Sequence, residues 1–316
     1  MKESVFVRNN REKWQEFEKL LKIKNIDPDQ LSNLYLKITD DLAYAKTYFP
    51  KSQSHKYLNY LASNVHVSIY KNKKEKRSRF ITFWKYELPL VYFQHRKELL
   101  ISLLVFVGAA CIGLLSVLND ETFARLILSD GYVNLTIENI EKGDPLAIYK
   151  RSGSVFNFLY ITKNNIQVSF TTFASGVFLS IGSVLILFLN GVMLGTFQGF
   201  FIQYDLLIES ILIVWIHGTL EISAIVIAGG AGLVLGNSIL FPQTYRRSES
   251  FKRGAKNGIK MAMGLVPIFI VAGFLESFVT RHTYMAWYWS ALIISLSAAF
   301  VVFYFVIYPK KVANGR

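Results

Sequence analysis

The chain has 316 residues, of which 52% are apolar, and its formal net charge is +13. Its mean hydropathy of +0.31 is high for a soluble globular protein. An aromatic content of 15% with only 18% charged residues excludes disordered, collagen-like and coiled-coil chains. The single cysteine, Cys111, excludes a disulfide framework. The composition therefore predicts a multi-pass membrane protein.

Residues 1–78 show helical periodicity and no β alternation, because their apolar residues recur three and four positions apart. Asp27 and Pro28 provide a cap residue and a first-turn proline for a second helix, and Pro50 separates that helix from a third. We therefore predict a small N-terminal cytosolic helical domain over 1–78. Its three apolar stripes are Phe6, Trp14, Phe17, Leu20 and Leu21; Leu31, Leu34, Ile38, Leu42 and Ala45; and Tyr57, Leu61, Val65 and Ile69.

A basic run at 71–79 is followed by aromatic residues interleaved with further basic ones. This pattern predicts an interfacial amphipathic helix over 79–98 that contacts anionic lipid. A solvated linker is the alternative for the basic run. The predicted lipid-headgroup contacts are Lys73, Lys74, Arg77, Arg79 and Trp84.

Five apolar runs are long enough to cross a hydrocarbon layer, which takes about 17 to 25 residues. A sixth, Val192 to Ile208, is marginal because it contains Gln198, Gln203 and Asp205. The five clear runs are Leu99 to Leu118, Ile166 to Leu189, Ile211 to Val234, Met261 to Val279 and Met285 to Tyr308.

Charge asymmetry decides how many of these runs cross. Residues 1–98 hold 20 Lys/Arg against 11 Asp/Glu, residues 119–165 hold 5 against 6, and residues 235–260 hold 6 against 1. The positive-inside rule places the first and last of these segments in the cytoplasm. Five crossings would put 235–260 outside and the termini on opposite sides, and a sixth crossing at 192–208 removes both violations.

The fold class predicted is thus all-α and polytopic, with a six-helix transmembrane bundle over 99–308. Residues 119–165 form an extracytoplasmic loop, residues 309–316 form a cytosolic tail, and both termini are cytoplasmic. This arrangement requires a tight inner turn at Asn190 and Gly191 and an outer turn near Asp205 to Ser210. A re-entrant or interfacial segment at 192–208 is the alternative.

Glycine recurs at four-residue spacing in the central part of the membrane domain. Small residues at this spacing let helix backbones approach closely in lipid, and packing within one chain is favoured here over a dimer face. The helix-packing positions predicted are Gly191, Gly195, Gly199, Gly232 and Gly236.

Three ionisable residues lie inside the predicted spans, where such groups are costly and are functional candidates. His217 and Glu221 are four residues apart and therefore share a helix face. Glu276 lies near the outer end of its own span. Because their estimated depths are similar, we predict that the three form one intramembrane polar cluster in the outer half of the bundle. Structural hydrogen bonding between helices and a transport role are both open for this cluster.

Catalysis and metal binding are not favoured by the sequence. The segment His217 to Glu221 lacks the second histidine of a zinc-protease helix, and a zinc site would need Glu221 and Glu276 as ligands. Walker, Gly-x-Ser-x-Gly and Gly-x-Gly-x-x-Gly motifs are absent from the sequence. We therefore predict no catalytic residue, no metal, no cofactor and no enzymatic activity.

Several strings occur in a fixed order along the membrane domain: Asn164 to Phe170, Phe173 to Gly176, Gly182, Asn190 to Gly195, His217 to Glu221, Ala228 to Gly232 and Leu275 to Thr280. Together they resemble the stage II sporulation protein M (SpoIIM-like) family. The N-terminal region, with Trp14 and Tyr57-Leu58-Asn59, resembles the long branch of that family.

The resemblance implies a bacterial inner-membrane protein. The sporulation member of the family holds cell-wall-degrading partners at a septum and has no known reaction of its own. The neighbourhood of long-branch genes suggests assembly work at the envelope. The first hypothesis is accordingly a non-enzymatic membrane scaffold or assembly factor. The alternative is a channel, transporter or lipid-handling protein that uses His217, Glu221 and Glu276. The expected partners are anionic lipids on the cytoplasmic side and other envelope membrane proteins. A homo-oligomer is also compatible with the sequence, and no binding to nucleic acid is expected.

Overall fold

The computed structural model describes residues 2–21, 28–70, 78–150 and 155–315, and all regular elements in these ranges are helices. The all-α prediction is therefore confirmed for the described part of the chain. The chain divides into two compact units, residues 1–78 and residues 79–316.

The first unit contains three helices: α1 (Glu3–Leu21), α2 (Pro28–Tyr48) and α3 (Gln53–Tyr70). Trp14 is buried among them, and its indole Nε1 donates a hydrogen bond to Asp41 Oδ2 at 2.7 Å. The side chains of Leu20, Leu21, Leu31, Leu34, Val65 and Ile69 lie outside the described residues. The other stripe residues supply most of a small apolar core formed by Phe6, Trp14, Phe17, Ile38, Ala45, Leu58, Leu61 and Ala62.

The second unit contains the remaining helices, several of which continue through short π-helical turns. The lead segment comprises α4 (Ser78–Thr82), a π turn (Phe83–Glu87) and α5 (Leu88–Gln94). The rest comprises α6 (Arg96–Asn119), α7 (Glu121–Leu128), α8 (Asp130–Glu141), α9 (Ala147–Lys150), α10 (Val155–Ala174), α11 (Ile181–Gln203), α12 (Leu207–Leu240), α13 (Arg247–Phe274) with a π turn (Leu275–Val279), α14 (Trp287–Val302) with a π turn (Phe303–Ile307), and α15 (Tyr308–Asn314).

Five helices in the described residues are long and apolar enough to cross a membrane: Arg96–Asn119, Ile181–Gln203, Leu207–Leu240, Arg247–Val279 and Trp287–Asn314. Large apolar side chains on α6, α11 and α14 point outward, as expected of faces that lipid covers. They include Leu104, Leu115, Leu185, Leu296 and Phe303, each about half exposed or more. The last candidate span reaches Asn314, so most of the predicted tail at 309–316 is helical.

The predicted turn at Asn190 and Gly191 is wrong. Both residues lie in the middle of α11, which is continuous from Ile181 to Gln203. The chain stays helical at this point because Gly191 packs closely against α6. A Cβ atom at this position would lie 2.6 Å from the carbonyl oxygen of Phe106. A turn between Gln203 and Leu207 lies close to the one predicted near Asp205 to Ser210, and its outer position stays a prediction.

The chain turns instead between α10 and α11, inside the apolar run 166–189 that was predicted to be one span. Leu179 and Ser180 have φ angles of 54° and 69°, in the left-handed region that ends a helix. Ser180 N donates to Gly176 O at 3.0 Å, and Ser183 Oγ donates to Thr172 O at 2.6 Å. One main-chain bond and one side-chain bond to main-chain carbonyls thus stabilise a turn that contains no proline.

The helices of the second unit pack through small residues. Gly195 of α11 faces the main chain of Ala110 on α6, and Gly199 faces the side chain of Val117. On α12, Gly232 faces Ser183 and Gly236 faces Ser180, next to the turn that joins α10 to α11. A side chain at any of these positions would require neighbouring atoms to move.

Two predicted extramembrane segments are packed elements. The segment 79–98 is a series of helical pieces that breaks at His95, and Leu88 and Tyr92 are buried in the main core of the second unit. Residues 119–150 fold as α7, α8 and α9 over the ends of α6, α11 and α12, where Val133 and Leu146 join a core with Phe201.

Candidate functional site

Two helical segments bring the three candidate ionisable residues together. His217 and Glu221 lie one turn apart on α12, and Glu276 lies in the π turn that follows α13. One ligating atom from each of the three lies within 4.8 Å of the others. His217 is buried, with 5% of its surface exposed, whereas Glu221 and Glu276 are half-buried.

The π turn determines how α13 contributes to this cluster. Thr280 N donates to Leu275 O at 2.8 Å, a five-residue step that widens the helix by one residue. Glu276 and Thr280 are one turn apart and both contribute to the cluster, since Thr280 Oγ1 lies 3.1 Å from His217 Nδ1. Wide turns of this kind occur often at functional sites.

The hydrogen bond between Thr280 and His217 indicates a tautomer of the histidine. Thr280 Oγ1 donates to Leu275 O at 3.2 Å, so its oxygen is the acceptor for His217 Nδ1–H. In that tautomer the lone pair of the neutral ring is on Nε2.

Asn165 of α10 is a fourth member of the cluster, because its Nδ2 donates a hydrogen bond to Glu221 Oε1. Neither Asn165 nor Thr280 was among the site residues predicted from the sequence. Asn165 stands beside Asn164 at the start of an apolar run, where an amide is a weaker signal than a charge. Thr280 lies at a span boundary and gives no physical signal without the π turn, although both residues belong to strings that resemble the family.

The cluster adjoins a cleft of about 560 Å³. Its polar lining includes Asn164, Asn165, Asn190, His217 and Glu221, and it extends to Leu128 and Tyr132 of α7 and α8. Asn190, interpreted from the sequence as a turn residue, faces this cleft and donates to Ile186 O at 2.8 Å. The cleft thus reaches from the loop helices to the cluster, with polar side chains set into a mostly apolar lining.

The predicted lipid-headgroup residues are partly placed. Lys73, Lys74 and Arg77 lie outside the described residues. Arg79 begins the second unit in α4, and Trp84 is half-buried against the main core with its carbonyl oxygen accepting a 2.8 Å hydrogen bond from Tyr304. Their contact with lipid stays a prediction.

The fold and the polar cluster define a polytopic α-helical membrane protein. The family model of stage II sporulation protein M (SpoIIM) matches residues 102–281, more than half of the chain, and a domain of unknown function matches residues 4–71. The chain therefore belongs to the SpoIIM family, as the sequence motifs predicted. Neither a curated protein nor a solved structure matches the chain significantly.

Proposed function

We propose that this chain is a non-enzymatic scaffold or assembly factor of the bacterial cell envelope, held in the cytoplasmic membrane by six crossings. The observation that carries the proposal is its division into two units. Residues 1–78 form a compact unit with its own apolar core, and a separate family model matches nearly the same range. A folded unit joined to a membrane anchor is suited to holding other proteins at the membrane.

The sixth crossing in this proposal is α10, in place of the predicted segment 192–208. Helix α10 runs alongside α13: Phe158 contacts Phe278 with ring centroids 6.1 Å apart, Thr162 adjoins Gly273, and Phe173 adjoins Gly258. The contacts follow α13 over 20 residues, or about 30 Å of helix, which is the thickness of the hydrocarbon layer. A crossing here supports cytoplasmic termini and a cytoplasmic 241–246 connection, in agreement with the basic segments.

Photo-crosslinking in cells tests the scaffold. A photoreactive amino acid is placed in the full chain at Leu36 or Tyr60, which are about 60% exposed on α2 and α3. Leu104, 62% exposed on the apolar face of α6, is the matched control position. We expect defined protein adducts from the first two positions and no such adducts from Leu104. Adduct patterns that are the same at all three positions would contradict recruitment through residues 1–78.

A second function is favoured by the polar cleft. A channel, transporter or lipid-handling protein requires polar groups that lead into the membrane domain, and the cleft beside His217 and Glu221 provides them. Liposomes with the purified protein test this function by ion, proton and lipid flux. Flux that falls in a Glu221→Gln variant and persists in Glu209→Gln, an exposed glutamate of the same helix, would support it. Absence of flux with the wild type would exclude it.

A further inference from the structure

We propose that His217, Glu221 and Glu276 bind a divalent first-row transition-metal cation of the zinc or manganese type. The inference goes beyond both functions above, because a cation that joins α12 to the end of α13 is compatible with either. It also departs from the sequence prediction of no metal. That prediction rested on the missing second histidine and did not have the spacing of the ligand atoms, which lie within 4.8 Å of one another.

The donor set fits such a cation. One imidazole nitrogen and two carboxylates are ligands used by zinc and manganese, whereas magnesium and calcium prefer oxygen alone. In a tetrahedral site with bonds of about 2.1 Å, the ligand atoms are about 3.4 Å apart. The donor atoms of the cluster lie within 4.8 Å of one another. Side-chain rotations that move these atoms by roughly an ångström or less would therefore close the site.

The hydrogen bonds around the cluster orient the ligands. A metal-binding histidine generally donates its other ring N–H to a neighbouring acceptor. His217 Nδ1 lies 3.1 Å from Thr280 Oγ1, and because the Thr280 hydroxyl donates to Leu275 O, the ring N–H on Nδ1 is the donor in the tautomer that carries the lone pair on Nε2. The carboxylate of Glu221 is oriented by Asn165, whose amide Nδ2 donates a hydrogen bond to Glu221 Oε1.

The charges of the two carboxylates are compatible with a bound cation. Two carboxylates within a few ångströms repel one another in an apolar medium unless protons or a cation lie between them. Among the described residues, no lysine or arginine forms an ion pair with Glu221 or Glu276. A cleft of about 560 Å³ adjoins the cluster and extends from Glu221 to Tyr132 of the loop helices.

The test measures metal on the purified full chain. The protein is isolated in detergent through a tag without histidine, incubated with Zn²⁺ or Mn²⁺ and separated from free metal by gel filtration. We expect one ion per chain in the wild type and an affinity lower by about tenfold or more in Glu221→Gln and in Glu276→Gln. Glu209→Gln, on the same helix but exposed, should bind as the wild type does.

X-ray absorption at the zinc edge of the wild type keeps the proposal testable if a variant fails to fold. A spectrum with one imidazole and otherwise oxygen ligands is expected. The proposal is overturned if the folded wild type retains no ion, if both glutamine variants bind as the wild type does, or if the spectrum shows sulfur from Cys111. Metal binding without flux would exclude transport and leave the cation site intact.

Discussion

At the residue scale, glycine determines how closely the helices of the second unit approach. Gly195 of α11 faces the main-chain atoms of Ala110 and Leu114, and main chain cannot move aside as a flexible side chain does. Gly108 of α6 has open space where a side chain would begin. The same residue type therefore has opposite roles on the two partner helices.

We expect Gly195→Ala to destabilise the protein by about 1 to 3 kcal/mol, because an added methyl group overpacks the contact with α6. Gly108→Ala is the matched control and should be neutral or stabilising by up to about 1 kcal/mol, since alanine favours helix. Thermal unfolding in detergent, with the monodisperse yield as a second readout, measures both. Equal midpoints for the two variants would show that α6 and α11 are not in close contact.

An ion pair between two elements gives a prediction on pH. Lys260 on α13 donates to Glu87 Oε2 at 2.8 Å, and this hydrogen bond lowers the pKa of Glu87 from its usual value of 4.5. The pair therefore stabilises the fold above the unfolded pKa, and this contribution is lost as the pH falls through the lower folded value.

Glu87→Gln should consequently reduce the unfolding temperature near neutral pH, with a free-energy effect of less than about 1 kcal/mol because the pair is partly exposed. The difference from wild type should shrink as the pH falls through the lowered pKa of Glu87 and disappear below it. Glu249→Gln is the control, because its partner Arg253 is one turn away on the same helix and links no two elements. An effect of Glu87→Gln that is independent of pH would contradict an ionic contribution.

At the scale of elements, the sequence predicted helices well and one turn badly. The apolar run 166–189 has neither proline nor charge, so its hydropathy gave no sign of the turn at 175–180. That turn depends on Ser180 and Ser183 bonding to distant main chain, which a linear pattern does not encode. Asn190 and Gly191 are typical turn residues, but packing against α6 keeps them helical. The predicted number of crossings rested on the Lys/Arg content of the loops, which does not depend on where these turns lie.

We expect α10 to cross the membrane, which places its two ends on opposite sides. Single cysteines at Asp144 and Phe178, in a Cys111→Ala background, report on this through a membrane-impermeant maleimide added to intact cells. The cysteine at Asp144 should be labelled from outside. The cysteine at Phe178, and a third one placed at Arg247, should be labelled only after the cells are permeabilised. Labelling of both Asp144 and Phe178 from outside would show that α10 does not cross.

At the scale of the whole molecule, the site residues were predicted because an ionisable side chain inside a membrane span is energetically costly. Their proximity in the structure depends on the π turn. His217 and Glu221 were paired by spacing, whereas Glu276 is joined to them by the widened turn at Leu275–Val279. Asn165 was missed because its role requires knowing that α10 packs beside α12. The separate unit at 1–78, by contrast, follows from three apolar stripes that the sequence shows directly.

The scaffold account separates the roles of the two units, and quantitative capture of partners from crosslinked cells tests it most directly. Wild type, a chain without residues 1–77, and the Glu221→Gln/Glu276→Gln double variant are captured in parallel at matched membrane levels. The account predicts envelope proteins that co-purify with the wild type and the double variant and are lost without residues 1–77. Partners that are retained without those residues and lost in the double variant, or no enriched partner at all, would contradict it.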